Sequence, residues 1–255
     1  MSGEVAERRA TSVLGVTIDC LDLAGLLGRV AGWIAAGERR AVCYVNAHCL
    51  NLASADAGYR ALLNRADLVY TDGVGVVWAA RLLGGCRLRK MTGADWIEAL
   101  CALAASEGWR IFIVAGAPGV AAEAAALLAA RHPGLAIAGC ADGFWRERSE
   151  AETLAAIRAE RPHLVLVGTG TPRQEQWIAR HSPELPPAVW WAVGALFDYV
   201  AGRERRAPAW MRRLALEWLW RLLVDPLGKW RRFLLGIPAF LLRVLVARWR
   251  SRGRG

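Results

Sequence analysis

The residues of this chain that could do chemistry lie where short apolar runs end in polar or glycine residues. Asp72 follows the apolar run 68–71 and precedes Gly73, which predicts a carboxylate at the end of a strand. Such a carboxylate can act as a general base that takes a proton from an acceptor hydroxyl. It can equally cap the helix that follows, so the position alone leaves both roles open.

A second candidate is the segment 168–174, Gly-Thr-Gly-Thr-Pro-Arg-Gln, which predicts a strand end, a glycine turn and a helix start. Backbone N–H groups at a helix start can hold a diphosphate, and Gln174 would point toward the same opening. An ordinary turn that needs glycine for its backbone angles fits the pattern as well. The segment is neither a Gly-x-Gly-x-x-Gly fingerprint nor a Walker loop, which argues against nicotinamide oxidoreductases and ATPases.

Other polar positions are open to a functional and to a structural interpretation. Lys90 precedes a helix cap at Thr92, as either a binding-site cation or a surface lysine. Asn46 and His48 follow the apolar run 41–45, where they could also be plain loop residues. The histidines lack metal-ligand spacing and the chain has no Asp-x-Asp, so we expect no metal site.

Apolar runs rich in β-branched residues alternate with longer Ala/Leu-rich stretches. We expect strands over residues 13–18, 41–45, 68–71, 110–115, 136–139, 163–167 and 189–193. We expect helices over residues 21–36, 49–64, 75–83, 93–106, 120–131, 150–159 and 173–181. This alternation predicts an α/β fold with a Rossmann-like parallel sheet flanked by helices. Ligands of such sheets bind beyond the carboxyl ends of the strands, where the candidate residues lie.

The charge of the chain is concentrated in residues 202–255, here called the C-terminal tail. The tail carries fourteen basic and three acidic residues, whereas the rest of the chain is nearly neutral. Five tryptophans lie among these charges, together with many leucines. We therefore expect a catalytic domain over residues 1–201 and a basic amphipathic helical appendage over residues 202–255. Such an appendage suits the surface of an anionic bilayer.

The cysteines and the N-terminus predict a cytoplasmic protein. The six cysteines are scattered, which favours reduced, buried thiols over a disulfide framework or a zinc site. Residues 1–10 are polar and lack the apolar stretch of a signal peptide. The best candidate for a membrane span, residues 233–242, has half the length that spanning needs and contains Pro238. We expect peripheral attachment to the inner face of the cell membrane.

Seven segments of the chain, taken in order, resemble the WecG/TagA/CpsF glycosyltransferase family over about residues 13–245. They are Asn46, Thr71-Asp72-Gly73, Met-Thr-Gly-Ala-Asp at 91–95, Gly-Thr-Gly-Thr-Pro-Arg-Gln-Glu at 168–175, Gly-Ala-Leu-Phe-Asp at 194–198, Ala-Gly-x4-Ala-Pro-x-Trp at 201–210 and Leu-Glu-Trp-Leu at 216–219. Each segment alone is weak evidence, but their order and spacing together are specific.

The resemblance implies an inverting transfer that needs neither a metal ion nor another cofactor. The donor would be a UDP-sugar, with an N-acetylmannosamine-type or uronic sugar, and the acceptor a sugar carried on a polyprenyl diphosphate at the membrane. The product would serve the biosynthesis of a cell-surface polysaccharide. The resemblance also makes a homo-oligomer plausible, and it implies no nucleic-acid partner.

The resemblance also implies roles for individual residues. Asp72 would be the base, and Arg221 would close over the site and stabilise the leaving diphosphate. Asn46 and Gln174 would contact the donor, and Asp198 would bind the uridine. Further substrate-binding positions carried over in this way are Thr71, Lys90, Gly168, Gly170, Arg206 and Arg213. Two departures affect donor choice: Lys90 stands where an Arg is expected, and Tyr44 stands where the family often has a smaller hydroxyl residue.

Two other classes of function stay open on the residues alone. The basic tail could bind nucleic acid, although its tryptophans and leucines argue against a segment that tracks phosphates. A Rossmann-like enzyme that uses another nucleotide, such as a methyltransferase or a dehydrogenase, would show the same alternation of strands and helices. Binding to liposomes rather than duplex DNA, and protection by UDP rather than other nucleotides, would separate these alternatives.

Overall fold

The computed structural model describes residues 9–144, 147–214 and 216–252, which build a hairpin and a six-stranded parallel sheet. The hairpin strands are β1 (Ala10–Val13) and β2 (Val16–Asp19). The sheet strands are β3 (Arg40–Val45), β4 (Leu68–Thr71), β5 (Arg110–Ala115), β6 (Ala136–Ala141), β7 (Leu164–Gly168) and β8 (Val189–Ala192). They lie in the order β4-β3-β8-β7-β5-β6, so β3 and β8 are neighbours near the middle.

Helices cover the sheet and connect its strands. They are α1 (Leu23–Ala35), α2 (Ala47–Ala55), α3 (Ala57–Arg65), α4 (Val74–Leu82), α5 (Gly93–Glu107), α6 (Val120–Arg131), α7 (Glu147–Glu160), α8 (Arg173–His181) and α9 (Leu196–Val200). Every residue of β4, β7 and β8 is buried, as expected of strands covered on both faces. The predicted α/β fold with a parallel sheet flanked by helices is confirmed.

One predicted strand and one predicted helix are each interrupted in the structure. Each interruption has a local cause. The run 13–18 is a hairpin, because Leu14 and Gly15 both adopt positive φ and reverse the chain. The run 49–64 is two helices, because Asp56 is extended and its side chain caps α3 through Gly58 and Tyr59. Apolar periodicity hid both breaks, since each lies inside a run that stays largely apolar.

The C-terminal tail continues as short helices and one long one. They are α10 (Ala209–Arg213), α11 (Glu217–Val224), α12 (Pro226–Trp230), a π-helical turn (Arg231–Leu235) and α13 (Gly236–Arg252). Sequence spacing predicts that Arg213, Glu217 and Arg221 share one helix. That prediction is wrong, because α10 ends at Arg213 and α11 begins at Glu217.

The long helix α13 packs against the helices that leave β3 and β4. Phe240 and Val244 are buried in the core, and the side chain of Asn51 donates to the carbonyl of Gly236 at 2.7 Å. Arg203 of the tail pairs with Glu123 of α6 at 2.8 Å. Hydrogen bonds, an ion pair and buried apolar side chains thus hold the tail against the body. A domain division at residue 201 stays a prediction. Each helix of the described ranges is too short or too charged to cross a bilayer.

Two of the six cysteines depart from the expectation of reduced thiols. Cys20, just after β2, and Cys86, after α4, form a disulfide with a Cα–Cα distance of 6.4 Å. Cys43, Cys49 and Cys101 are buried free thiols, as the sequence predicts, whereas the free thiol of Cys140 is exposed. The 66-residue separation of Cys20 and Cys86 left no signal of their pairing in the sequence.

Candidate active site

A pocket lies over the carboxyl ends of β3, β4 and β8, and the tail forms its roof. The body contributes Tyr44, Asn46, Tyr70, Asp72 and Tyr199 to its lining. The tail contributes Arg206, Glu217, Trp220, Arg221 and Arg232. Its cavity measures about 90 Å³. Ligand pockets usually measure about 300–1,000 Å³, so the roof must move before a large substrate can enter.

The position of Asp72 is fixed by the strand before it and by the amide of Asn46. Its backbone N–H donates to the carbonyl of Val45 at 2.9 Å, and Asn46 Nδ2 lies 3.4 Å from Asp72 Oδ2. Helix α4 starts after Gly73 without a side-chain cap, so Asp72 is not its capping residue. Gly73 has a φ of 144°, which only glycine adopts easily, and this lets the strand turn into α4.

The electrostatics of Asp72 suit a proton acceptor. Burial raises the pKa of Asp72 above its ordinary value, while Arg221, the Asn46 amide, Arg232 and Lys90 pull it down. Burial dominates, so the pKa moves toward neutral pH. A carboxylate with a raised pKa is a stronger base than a free aspartate.

Arg221 reaches the pocket from α11. Its guanidinium carbon lies 5.4 Å from the centroid of the Tyr199 ring, within cation–π range. Burial would lower the pKa of Arg221, but Tyr199 and Asp72 outweigh it, and the pKa lies above its ordinary value. The pocket thus holds a charged guanidinium that faces a carboxylate across a small cavity.

Arg232 is a pocket residue that the sequence did not single out. It lies in the π-helical turn, lines the same cavity and lowers the pKa of Asp72. Its Nε is buried without a hydrogen-bond partner among the described residues. Arg231 precedes it directly and is exposed, so the charge pattern could not tell which of the two faces inward.

Two further cations of the predicted site, Lys90 and Arg206, are already paired with acids. Lys90 forms an ion pair with Glu217, the first residue of α11. Arg206 bonds to the carboxylate of Asp95 and to the carbonyl of Ala94, the latter at 3.2 Å. Both pairs join the tail to the loop and helix that follow α4. They hold the roof closed over Asp72.

Comparison with known proteins decides the family of this chain. A sequence model described as "Glycosyl transferase WecG/TagA/CpsF family" matches residues 11–254. The chain belongs to this family. The resemblance noted in its sequence is confirmed, and the protein is a glycosyltransferase.

Two relatives from Bacillus carry the same descriptive name, N-acetylglucosaminyldiphosphoundecaprenol N-acetyl-beta-D-mannosaminyltransferase. The Bacillus spizizenii protein is 35% identical over 187 residues, which cover 73% of this chain and 71% of the relative. The Bacillus subtilis protein is 34% identical over 203 residues, which cover 79% of this chain and 77% of the relative. The chain therefore spans most of the length of both relatives.

Gln174 of this WecG/TagA/CpsF protein lies behind the pocket, where its amide holds two strand ends together. The side chain is 0% exposed. Its Oε1 accepts from the backbone N–H of Gly194 at 2.9 Å, and its Nε2 donates to Glu175 Oε1 at 2.8 Å. The glycine turn lies one strand further from Asp72 than β8, because β7 is the outer neighbour of β8. The predicted contact of Gln174 with the sugar donor would require a change of conformation, and it stays a prediction.

We expect Gln174→Ala to destabilise the protein by about 1–3 kcal/mol, since it leaves the buried N–H of Gly194 without an acceptor. The midpoint of urea unfolding measures this loss. Gln176→Ala on the exposed side of α8 is the matched control and should leave the midpoint unchanged. Equal midpoints for the two variants would show that the Gly194 contact contributes nothing.

The other predicted substrate-binding residues differ in their surroundings. Thr71 is buried at the end of β4, and its hydroxyl oxygen has no partner among the described residues. Asp198 lies half-buried in α9, where burial and then Glu204 raise its pKa. Arg213 is exposed at the end of α10. None of these three is among the residues that line the cavity as described, and their roles stay predictions.

Steric crowding and backbone conformation are sufficient reasons for glycine at Gly168 and Gly170, without a bound ligand. A side chain at Gly168 would lie 2.5 Å from the carbonyl oxygen of Gly194. Gly170 has a φ of +84°, which strains other residues. Tyr44 joins this turn to the pocket, because its hydroxyl lies 3.5 Å from Thr171 Oγ1. A direct role of Gly168 and Gly170 in substrate binding stays a prediction.

Proposed function

We propose that this protein transfers an N-acetylmannosamine-type or uronic sugar from its UDP derivative to a sugar carried on a polyprenyl diphosphate. The observation that carries the proposal is Asp72, a half-buried carboxylate that shares one cavity with Arg221 and Arg232. The names of both relatives support an N-acetylmannosaminyl donor and an N-acetylglucosaminyl diphosphate lipid as acceptor.

The chemistry proposed for Asp72 is a single in-line displacement. A hydroxyl oxygen of the acceptor forms a bond to the anomeric carbon as the bond from that carbon to the UDP oxygen breaks. The electron pair of the broken bond leaves with UDP, and the hydroxyl proton passes to Asp72. One carboxylate suffices for such an inverting transfer, because protonation of a diphosphate leaving group is unnecessary.

The leaving UDP gains negative charge, which the roof can stabilise. Arg221 and Arg232 line the same cavity as Asp72, and Lys90 can join them once its ion pair with Glu217 opens. Fixed cations in a site that excludes water stabilise such a charge strongly. We infer that these side chains replace the divalent metal that many nucleotide-sugar enzymes use. Turnover that persists in excess chelator would support this inference. Turnover that is lost in chelator and recovers when Mg²⁺ is added would contradict it.

We propose that the tail attaches the enzyme peripherally to the inner face of the cell membrane. Large apolar side chains of the tail are exposed, with Leu227 at 90% and Trp249 at 77%. Each Lys or Arg near an anionic leaflet adds about 1 kcal/mol, so attachment should weaken as salt is raised. Liposome binding that exceeds duplex DNA binding at matched salt supports this proposal over the nucleic-acid alternative.

The deciding experiment for the proposed reaction is a panel of UDP-sugars with a short-chain polyprenyl diphosphate that carries N-acetylglucosamine. The measured quantity is the release of UDP. We expect UDP-N-acetylmannosamine or its uronic derivative to give the fastest release, and release to require the acceptor. A faster transfer from GDP- or CMP-sugars, or methyl transfer from S-adenosylmethionine, would overturn the proposal.

The role of Arg232 predicts a shift in the pH profile. Arg232 lowers the pKa of Asp72, so Arg232→Gln should raise that pKa further. The base then becomes protonated at higher pH, and the acid limb of kcat/KM moves toward neutral pH. Arg231→Gln, which removes an exposed neighbouring charge, is the control and should leave the limb in place. Equal shifts in both variants would contradict a specific effect of Arg232 on Asp72.

A further inference from the structure

A second cleft lies between α13, the C-terminal end of α2 and the N-terminal half of α3, and Asp72 is not among its lining residues. Helix α13 contributes Leu242, Arg243, Val246, Ala247 and Arg250 to its lining. The body contributes Leu14, Ser54 and Arg60. The cleft has a volume of about 410 Å³, which falls within the range of ligand pockets. Helix α2 runs from Asn46 at the first pocket to this cleft, roughly 12 Å along its axis.

The cleft combines three arginines with apolar walls. Arg60 donates one hydrogen bond to the carbonyl of Ala53 at 3.1 Å, and Arg243 donates one to the side chain of Asn51. An arginine has five N–H donors, so both keep further donors for a ligand. Arg250 is exposed at the mouth. No carboxylate is among the lining residues described. The cleft therefore carries uncompensated positive charge that suits an anion.

The apolar lining distinguishes this cleft from a site for a free anion. Leu242 is 63% exposed and Val246 is 38% exposed, and both line the same cleft as the three arginines. They continue into Leu241, Leu245 and Trp249, the exposed apolar residues of the same helix. A ligand that covers both parts must join a negative charge to a hydrocarbon chain. Phosphate–arginine contacts are directional and strong, and burial of the hydrocarbon against the apolar side chains adds further binding free energy.

We propose that this cleft binds the headgroup phosphate of one anionic phospholipid, with its first methylene groups on Leu242 and Val246. The site is stoichiometric, unlike the general attraction of a basic tail to a charged surface. It seats α13 on the bilayer at a fixed depth, and α13 in turn packs on α2, which begins at the first pocket. The lipid is a ligand, and no chemical change in it is involved.

Calorimetric titration with dihexanoyl phosphatidylglycerol below its micelle concentration tests the site without a membrane surface. We expect one molecule bound per chain, and a dissociation constant raised roughly tenfold or more by Arg60→Gln and by Arg250→Gln. The matched controls are Arg65→Gln on the exposed face of α3 and Arg252→Gln at the end of α13, each of which removes the same charge. They should change the constant by no more than about twofold.

Two comparison ligands separate the sources of phosphate. Dihexanoyl phosphatidylcholine is neutral overall and inorganic phosphate lacks the hydrocarbon, so both should bind at least roughly tenfold more weakly. Equal binding of phosphatidylcholine, or equal losses in the control variants, would overturn the proposal. Binding of inorganic phosphate as tight as that of phosphatidylglycerol would mean a free-phosphate site and would also overturn it.

The fold and the glycosyl transfer serve as independent readouts. Arg250 is exposed, so Arg250→Gln tests the cleft even if Arg60→Gln unfolds the protein, which thermal unfolding would reveal. Both folded variants should release UDP at the rate of the unmodified enzyme when the acceptor is short and soluble. A failure of the lipid site therefore leaves the proposed reaction intact, and a failure of the reaction leaves the lipid site intact.

Discussion

Replacing Asp72 by Asn is expected to lower turnover by roughly a hundredfold or more while the protein stays folded. Asn has nearly the same volume as Asp, so the pocket keeps its shape, but an amide cannot take up the acceptor proton. The measurement is steady-state UDP release at saturating donor and acceptor. Donor binding should change little, because the proton is transferred only as the bond to the acceptor forms.

A matched change elsewhere separates loss of a base from loss of fold. Asp56→Asn replaces the carboxylate that caps α3 by an equally good capping residue, and it should keep both stability and turnover. Near-normal turnover in the Asp72 variant would remove this carboxylate from the mechanism. Another group in the pocket would then have to accept the proton of the acceptor hydroxyl. Glu217 is the other carboxylate among the lining residues described.

Replacing Arg221 by Ala should lower kcat by roughly a hundredfold, the loss typical of one donor that stabilises a developing charge. Arg221 lies in the roof, and its position over Tyr199 holds the guanidinium toward the cavity. Because the leaving group gains its charge at the transition state, kcat and kcat/KM should fall together. Arg221→Lys should recover part of the rate, since it keeps the charge and loses the planar pair of donors.

Arg231→Ala provides the control for Arg221, because it removes an exposed charge from the same tail. It should leave kcat unchanged. The assays must be run well above the acid limb, since Arg221 also lowers the pKa of Asp72 and its removal shifts that limb upward. An unchanged kcat for Arg221→Ala at such a pH would show that the roof takes no part in the reaction.

The floor of the site could be predicted from the sequence, because it depends on strand ends. A parallel sheet brings the residues that follow its strands to one edge, and this places Asn46 and Asp72 together without further information. The prediction of Arg221 as a site residue depends on family resemblance alone. Its actual contact with the pocket depends on how α11 folds back over α9, which local periodicity does not encode.

The parts that the sequence could not predict depend on packing between distant segments. Arg232 faces the pocket because the chain widens into a π-helical turn there, and spacing rules for α-helices do not apply to such a turn. Gln174 turns inward because the N–H of Gly194 needs an acceptor at the neighbouring strand end. The run through Arg213 and Glu217 reads as one helix until Leu214 ends it.

The two functions of the Asn46 amide restrict position 46 to asparagine. Its Oδ1 accepts from the N–H groups of His48 and Cys49 at 3.0 and 3.2 Å, which starts α2, while its Nδ2 faces Asp72. Asp would start the helix equally well but has no proton to give a neighbouring carboxylate, and it would repel it. Ser or Thr has one oxygen for both tasks. Of the residues that begin helices well, only asparagine can serve the scaffold and the reaction with two different atoms.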